Sequence, residues 1–127
     1  MTEQTNEQVL DLVTAVVQSL DEHKAEDIRV LKVDEITSLA DYFILATGTS
    51  TTHVQALVDY LDTDLSKREI KPLRTEGYQS SLWTVLDYGA VVIHVFAQNT
   101  RQFYDLERLW QDAQTVPTAS FLEDEKA

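Results

Sequence analysis

At 127 residues, 43% of them hydrophobic, the chain has the size of one domain and enough apolar content to bury a core of its own. It contains no cysteine, which excludes disulfides, thiolate metal sites and thiol nucleophiles and is compatible with a reducing cytosol. Its 22 acidic residues against 10 basic ones give a net charge of −12. Such a field repels nucleic acid and attracts a basic protein, although acidity can also serve solubility alone.

No segment approaches the roughly 18 uninterrupted apolar residues of a membrane span. Met1 to Glu7 lacks the basic start and apolar run of a signal peptide, so a cytoplasmic protein is expected. In chain order, Thr5 to Leu20 is expected to be an amphipathic helix. Val9, Leu10, Leu12, Val13, Val16, Val17 and Leu20 form its stripe, and Thr5 with Gln8 fits a capping box. Ile28 to Val33 is expected as a strand, and Tyr42 to Thr47 as a second that is apolar on both faces and so central in a sheet. Gly48 then permits a turn, and the hydroxyls of Thr49 to Thr52 offer N-caps to a helix reaching Glu69. The buried stripe of that helix is Val54, Leu57, Val58, Leu61 and Leu65.

Ile70 to Thr75, containing Pro72, fits a short edge strand. Leu82 to Asp87 and Ala90 to Phe96 form a hairpin turning at Asp87, Tyr88 and Gly89, with glycine where positive φ is expected. A last helix begins at Asn99 and carries Phe103, Leu106, Leu109, Trp110 and Ala113 toward Pro117. The expected fold class is α/β, a mixed five-stranded sheet covered by helices in the order α-β-β-α-β-β-β-α. The domain is expected to span residues 5–115 and to be followed by an acidic tail, residues 116–127, frayed from Thr118 onward.

Catalytic signals are weak. His23, His53 and His94 have no partner at metal-ligand spacing in the sequence, and His94 shares a strand face with Val92 and Phe96, as a hydrogen-bonded structural histidine would. Gly48-Thr49-Ser50 between strand and helix could cradle a phosphate, but it lacks the glycines of a P-loop or dinucleotide fingerprint and reads as a capped turn. Asp62-Thr63-Asp64 downstream imitates the paired carboxylates of a nucleotidyltransferase. Both lie in the second helix, where residues two apart point in different directions and cannot share a metal ion. No catalytic residue, metal site or cofactor is expected. What remains is a concentration of aromatic and acidic residues, with Trp83, Val85 and Asp87 on one face of a strand. Tryptophan serves equally as a core residue or as an interface anchor.

Asp41 to Ser50 resembles the ribosomal silencing factor family, RsfS or Iojap. The resemblance is stronger at Trp83 to Phe96 and continues at Arg101 to Trp110, with Glu76-Gly77 ahead of the tryptophan also fitting. It covers about residues 7–115. One departure is Ala90, where the family usually carries an aspartate, which removes a carboxylate beside the hairpin turn.

The resemblance implies a fold similar to the nucleotidyltransferases without their catalytic carboxylates. It implies a non-enzymatic factor that binds ribosomal protein fourteen of the large subunit, blocks joining of the small subunit and represses translation. It also implies a homodimer in the free state. By the same match, Trp83 is the expected apolar anchor, Tyr88 its aromatic neighbour and Asp87 the partner of a Lys or Arg, with Glu76 a further contact. Large-subunit assembly is the alternative role, and a nucleotidyltransferase-like enzyme a more distant one.

Overall fold

A computed structural model describes residues 6–80, 82–105, 108 and 110–126. Helix α1 (Asn6–Glu22) precedes β1 (Glu26–Lys32) and β2 (Tyr42–Gly48). Helix α2 (Thr51–Ser66) leads to β3 (Arg74–Glu76), β4 (Trp83–Asp87) and β5 (Val91–Ala97). Then follow α3 (Gln98–Tyr104), β6 (Gln114–Val116) and α4 (Ala119–Lys126). The sheet order is β3-β4-β5-β2-β1-β6; β2 and β5 run parallel and the remaining neighbours antiparallel.

Periodicity sets the main core. Val9, Leu12, Val13, Val16, Val17 and Leu20 of α1 pack with Val54, Leu57, Val58, Leu61 and Leu65 of α2 against Val30, Ile44, Leu86, Ile93 and Val95 of the sheet. Leu10 departs from its expected place on the stripe and lies 42% exposed. The proposed Thr5 cap lies outside the described residues. Neither α1 nor α2 ends on glycine. Lys24 and Glu69 take left-handed φ of 68° and 62°, and each is followed by a hydrogen bond that closes the helix end: Ala25 N–H to the Leu20 carbonyl and Ile70 N–H to the Leu65 carbonyl, both 2.9 Å.

Ser50 is the N-cap expected of the turn before α2, its Oγ accepting from the His53 N–H at 3.1 Å. Gly89, at φ 87°, makes the hairpin turn with Ala90, and the Tyr88 N–H bonds to the Val91 carbonyl at 2.9 Å.

From Asp105 onward the structure departs from the sequence reading. Asp105 adopts a left-handed conformation, φ 47°, and ends α3 after seven residues. Aspartate tolerates this conformation better than most residues. The chain then adds β6, a sixth strand paired with β1 through Val30↔Val116 and Leu31↔Thr115. The expected frayed tail is instead α4, whose Phe121 is buried in the main core and whose Phe121 carbonyl accepts from Gln18 Nε2 at 3.2 Å.

Candidate functional site

Strand alternation gives the sheet two chemically different faces. Thr84 and Leu86 point to the helical side, whereas Trp83, Val85 and Asp87 point to the other. The antiparallel register brings Phe96, His94 and Val92 of β5 opposite these three, and Arg74 and Glu76 of β3 opposite Asp87 and Val85. This second face holds a smaller core of Leu31, Val33, Ala40, Phe43, Leu45 and Phe96, partly covered by Trp110 and Ala113. Trp110 meets Phe43 edge-on at 4.9 Å. Toward the β3 edge the cover thins: Trp83, Val85 and Asp87 are half-buried and Glu76 and Arg74 exposed.

Trp83 therefore belongs wholly neither to the core nor to the surface. One side of its indole stacks on Phe96 at 5.3 Å, and its Nε1–H donates to His94 Nδ1 at 3.1 Å. That bond places the imidazole proton on Nε2, which is buried without a hydrogen-bond partner among the described residues. Burial pushes the His94 pKa down to about 4, so the ring is neutral at physiological pH. The tryptophan is thus held in one orientation by a neutral acceptor beneath it.

Gly77 is needed to hold the chain close behind Trp83. It sits at φ 81°, and a Cβ there would lie 2.2 Å from the Trp83 carbonyl oxygen. Only glycine reconciles that conformation with that approach.

The four expected contact residues do not share one surface. Glu76 is exposed on Trp83's side, at the edge strand. Asp87 is on the same side, but its Oδ1 accepts from the Gly89 N–H at 2.8 Å and its Oδ2 lies 3.7 Å from Arg74 Nε. The first contact shapes the turn; the second joins half-buried Asp87 to exposed Arg74 at the sheet edge, where an ion pair contributes ~0–1 kcal/mol and can be exchanged for another cation.

Tyr88 stands apart from the other three. It does not neighbour Trp83 on a docking surface, because it stands one residue beyond Asp87 and so faces the opposite side. There it is 6% exposed within the helical core. Burial, reinforced by the charge of Asp62, pushes its phenol up to about 12. Its hydroxyl has no hydrogen-bond partner among the described residues. Tyr88→Phe is accordingly expected to stabilise the fold by about 1 kcal/mol, read as a higher urea midpoint, and to leave partner binding unchanged.

The sequence motifs reminiscent of catalysis take structural roles. The N–H of Thr49 donates to His53 Nδ1 at 2.9 Å, and His53 Nε2 donates to the His23 carbonyl at 2.9 Å, so the Gly48 to Ser50 turn is closed on itself. Asp62 is exposed near Tyr88, whereas Asp64 accepts from buried Ser19 Oγ at 2.7 Å; the two carboxylates diverge as helix geometry requires. Arg101, which the sequence marked only as part of a motif, is buried. It donates to the Asp27 carbonyl at 2.6 Å and to Thr47 Oγ1 at 2.8 Å, pinning the bulged start of β1 to the end of β2.

A family model described as "Ribosomal silencing factor during starvation" matches residues 6–127. The chain belongs to the ribosomal silencing factor family. It is 38% identical over 106 residues to the ribosomal silencing factor RsfS of Halalkalibacterium halodurans, covering 84% of this chain and 91% of that one. The mouse mitochondrial assembly of ribosomal large subunit protein 1 is 36% identical over 77% of this chain, which spans 44% of that protein's length. A crystal structure of a Chromobacterium violaceum protein superposes with a TM-score of 0.79 at 32% identity, covering 81% of this chain and 86% of the other. The α/β architecture read from the sequence is therefore shared with a solved relative, and the family resemblance seen in three motifs extends through the C-terminal residues.

Proposed function

We propose that this member of the family acts by binding rather than by catalysis. It docks the Trp83 face of its sheet on ribosomal protein fourteen of the large subunit, and its bulk there keeps the small subunit from joining. The observation that carries the reading is a partly uncovered aromatic and aliphatic patch, Trp83 with Val85, bordered by Asp87 and Glu76, on a chain of net charge −12. An apolar centre supplies binding energy once water is excluded, and surrounding carboxylates select a basic protein and speed its encounter. The same net charge disfavours random contact with ribosomal RNA. The free chain is proposed to be cytoplasmic and to self-associate as a homodimer. Among the described residues no helix is long and apolar enough to cross a membrane.

The chain is expected to cosediment with isolated large subunits at low salt and to associate more slowly as salt is raised, because screening weakens electrostatic steering. A protein that stays unbound at low salt would end the proposal. The name of the mouse relative favours a second reading, assembly of the large subunit. Depletion separates the two: precursor particles accumulate if assembly is the task, whereas complete particles with unrestrained translation mark silencing.

A further inference from the structure

We propose that Glu22, His23 and Asp64 form a binding site for a divalent transition metal ion of the zinc class, bridging the C-terminal end of α1 and the last turn of α2. One ligand atom from each of the three lies within 4.8 Å of the others. The sequence hid this grouping because Asp64 comes from a different helix, which packing against α1 brings alongside.

The imidazole makes this more than a collection of surface carboxylates. His23 is stacked on Tyr60 with ring centroids 3.6 Å apart and planes 4° from parallel, and its carbonyl is held by His53. Its Nε2 is 3.7 Å from Asp64 Oδ2. That separation is too long for a hydrogen bond. It is close to the distance of about 3.3 Å between two ligands of one tetrahedral ion with metal–ligand bonds near 2.0–2.1 Å. Oδ2 is itself oriented by the buried Ser19 hydroxyl at 2.7 Å, the support that metal-binding carboxylates commonly have. Lys67 approaches the other oxygen, Oδ1, at 4.0 Å, and at 72% exposure it can swing into solvent. One nitrogen and two carboxylates suit zinc, cobalt or nickel; magnesium and calcium prefer all-oxygen shells. A bound ion would tie α1 to α2 and stabilise the native chain.

Calorimetric titration of the metal-free full chain with zinc chloride is expected to show one site and to raise the melting temperature, whereas magnesium gives no heat. Cobalt is expected to develop visible ligand-field absorption. His23→Phe keeps a ring over Tyr60 but removes the ligand nitrogen, and Asp64→Asn keeps an acceptor for Ser19 but removes the charge. Each is expected to weaken zinc binding by at least about tenfold. Far-UV circular dichroism establishes which metal-free variants are folded; should His23→Phe not fold, Asp64→Asn decides alone. The absence of zinc binding by the parent chain, or undiminished affinity in the folded variants, would overturn the assignment.

Discussion

Trp83→Ala is expected to weaken binding to isolated large subunits by about thirtyfold or more, a loss of ~2 kcal/mol. The indole combines a large apolar area, little rotamer entropy to lose, and an orientation already fixed by Phe96 and His94 in the free chain. Because those internal contacts are removed as well, the variant should also be less stable. Its binding must therefore be measured well below its melting transition. Glu76→Lys provides the complementary test. Glu76 is exposed on a three-residue edge strand, so reversing its charge leaves the core intact. The expected defect is slower association that fades at high salt, the behaviour of a rim charge. A folded Trp83→Ala chain that binds subunits as tightly as its parent would show that docking uses another surface.

The residues that could be placed from sequence were those governed by local periodicity. The five apolar positions of α2 recur at helical spacing and all five are buried. The face shared by Trp83, Val85 and Asp87 follows from strand alternation alone. Applied one residue further, the same rule puts Tyr88 on the other side. The family motif sets Tyr88 close to Trp83 in sequence but carries no information about which face of the sheet it takes. The Trp83–His94 bond needed one more piece of information, the register of the hairpin. Placing the turn at Gly89-Ala90 pairs Tyr88 with Val91, hence Val85 with His94 and Trp83 with Phe96, and sets indole and imidazole diagonally across two strands. The chain after Tyr104 was illegible for a different reason. Gln114-Thr115-Val116 has no apolar pattern, and its three residues are a strand only because β1 offers an unpaired edge. Likewise, the helical stripe expected toward Pro117 runs through Asp105, whose left-handed conformation no periodicity signals.

The strongest pH effect is expected from His94. Folding lowers its pKa from the ordinary 6.5 to about 4, chiefly through burial. Between those values the unfolded chain takes up a proton that the folded chain refuses, so stability falls as pH falls. The contribution is complete above about pH 6.5 and drains away toward pH 4, amounting to about 2 kcal/mol between pH 7 and pH 4.5. Carboxylates titrate in the same region, so the parent must be compared with His94→Gln, which retains an acceptor for the Trp83 N–H and cannot charge. The difference between their unfolding free energies should shrink or change sign toward the parent's disadvantage by that amount on acidification; parallel pH profiles would contradict it. Protonation also has a local consequence. An imidazolium has no lone pair on Nδ1, so the indole N–H at 3.1 Å would face a second donor. Trp83 should then loosen before the chain unfolds. In a Trp110→Phe background its fluorescence is expected to change at a higher pH than the far-UV circular dichroism, and the proposed subunit binding should fall with the fluorescence.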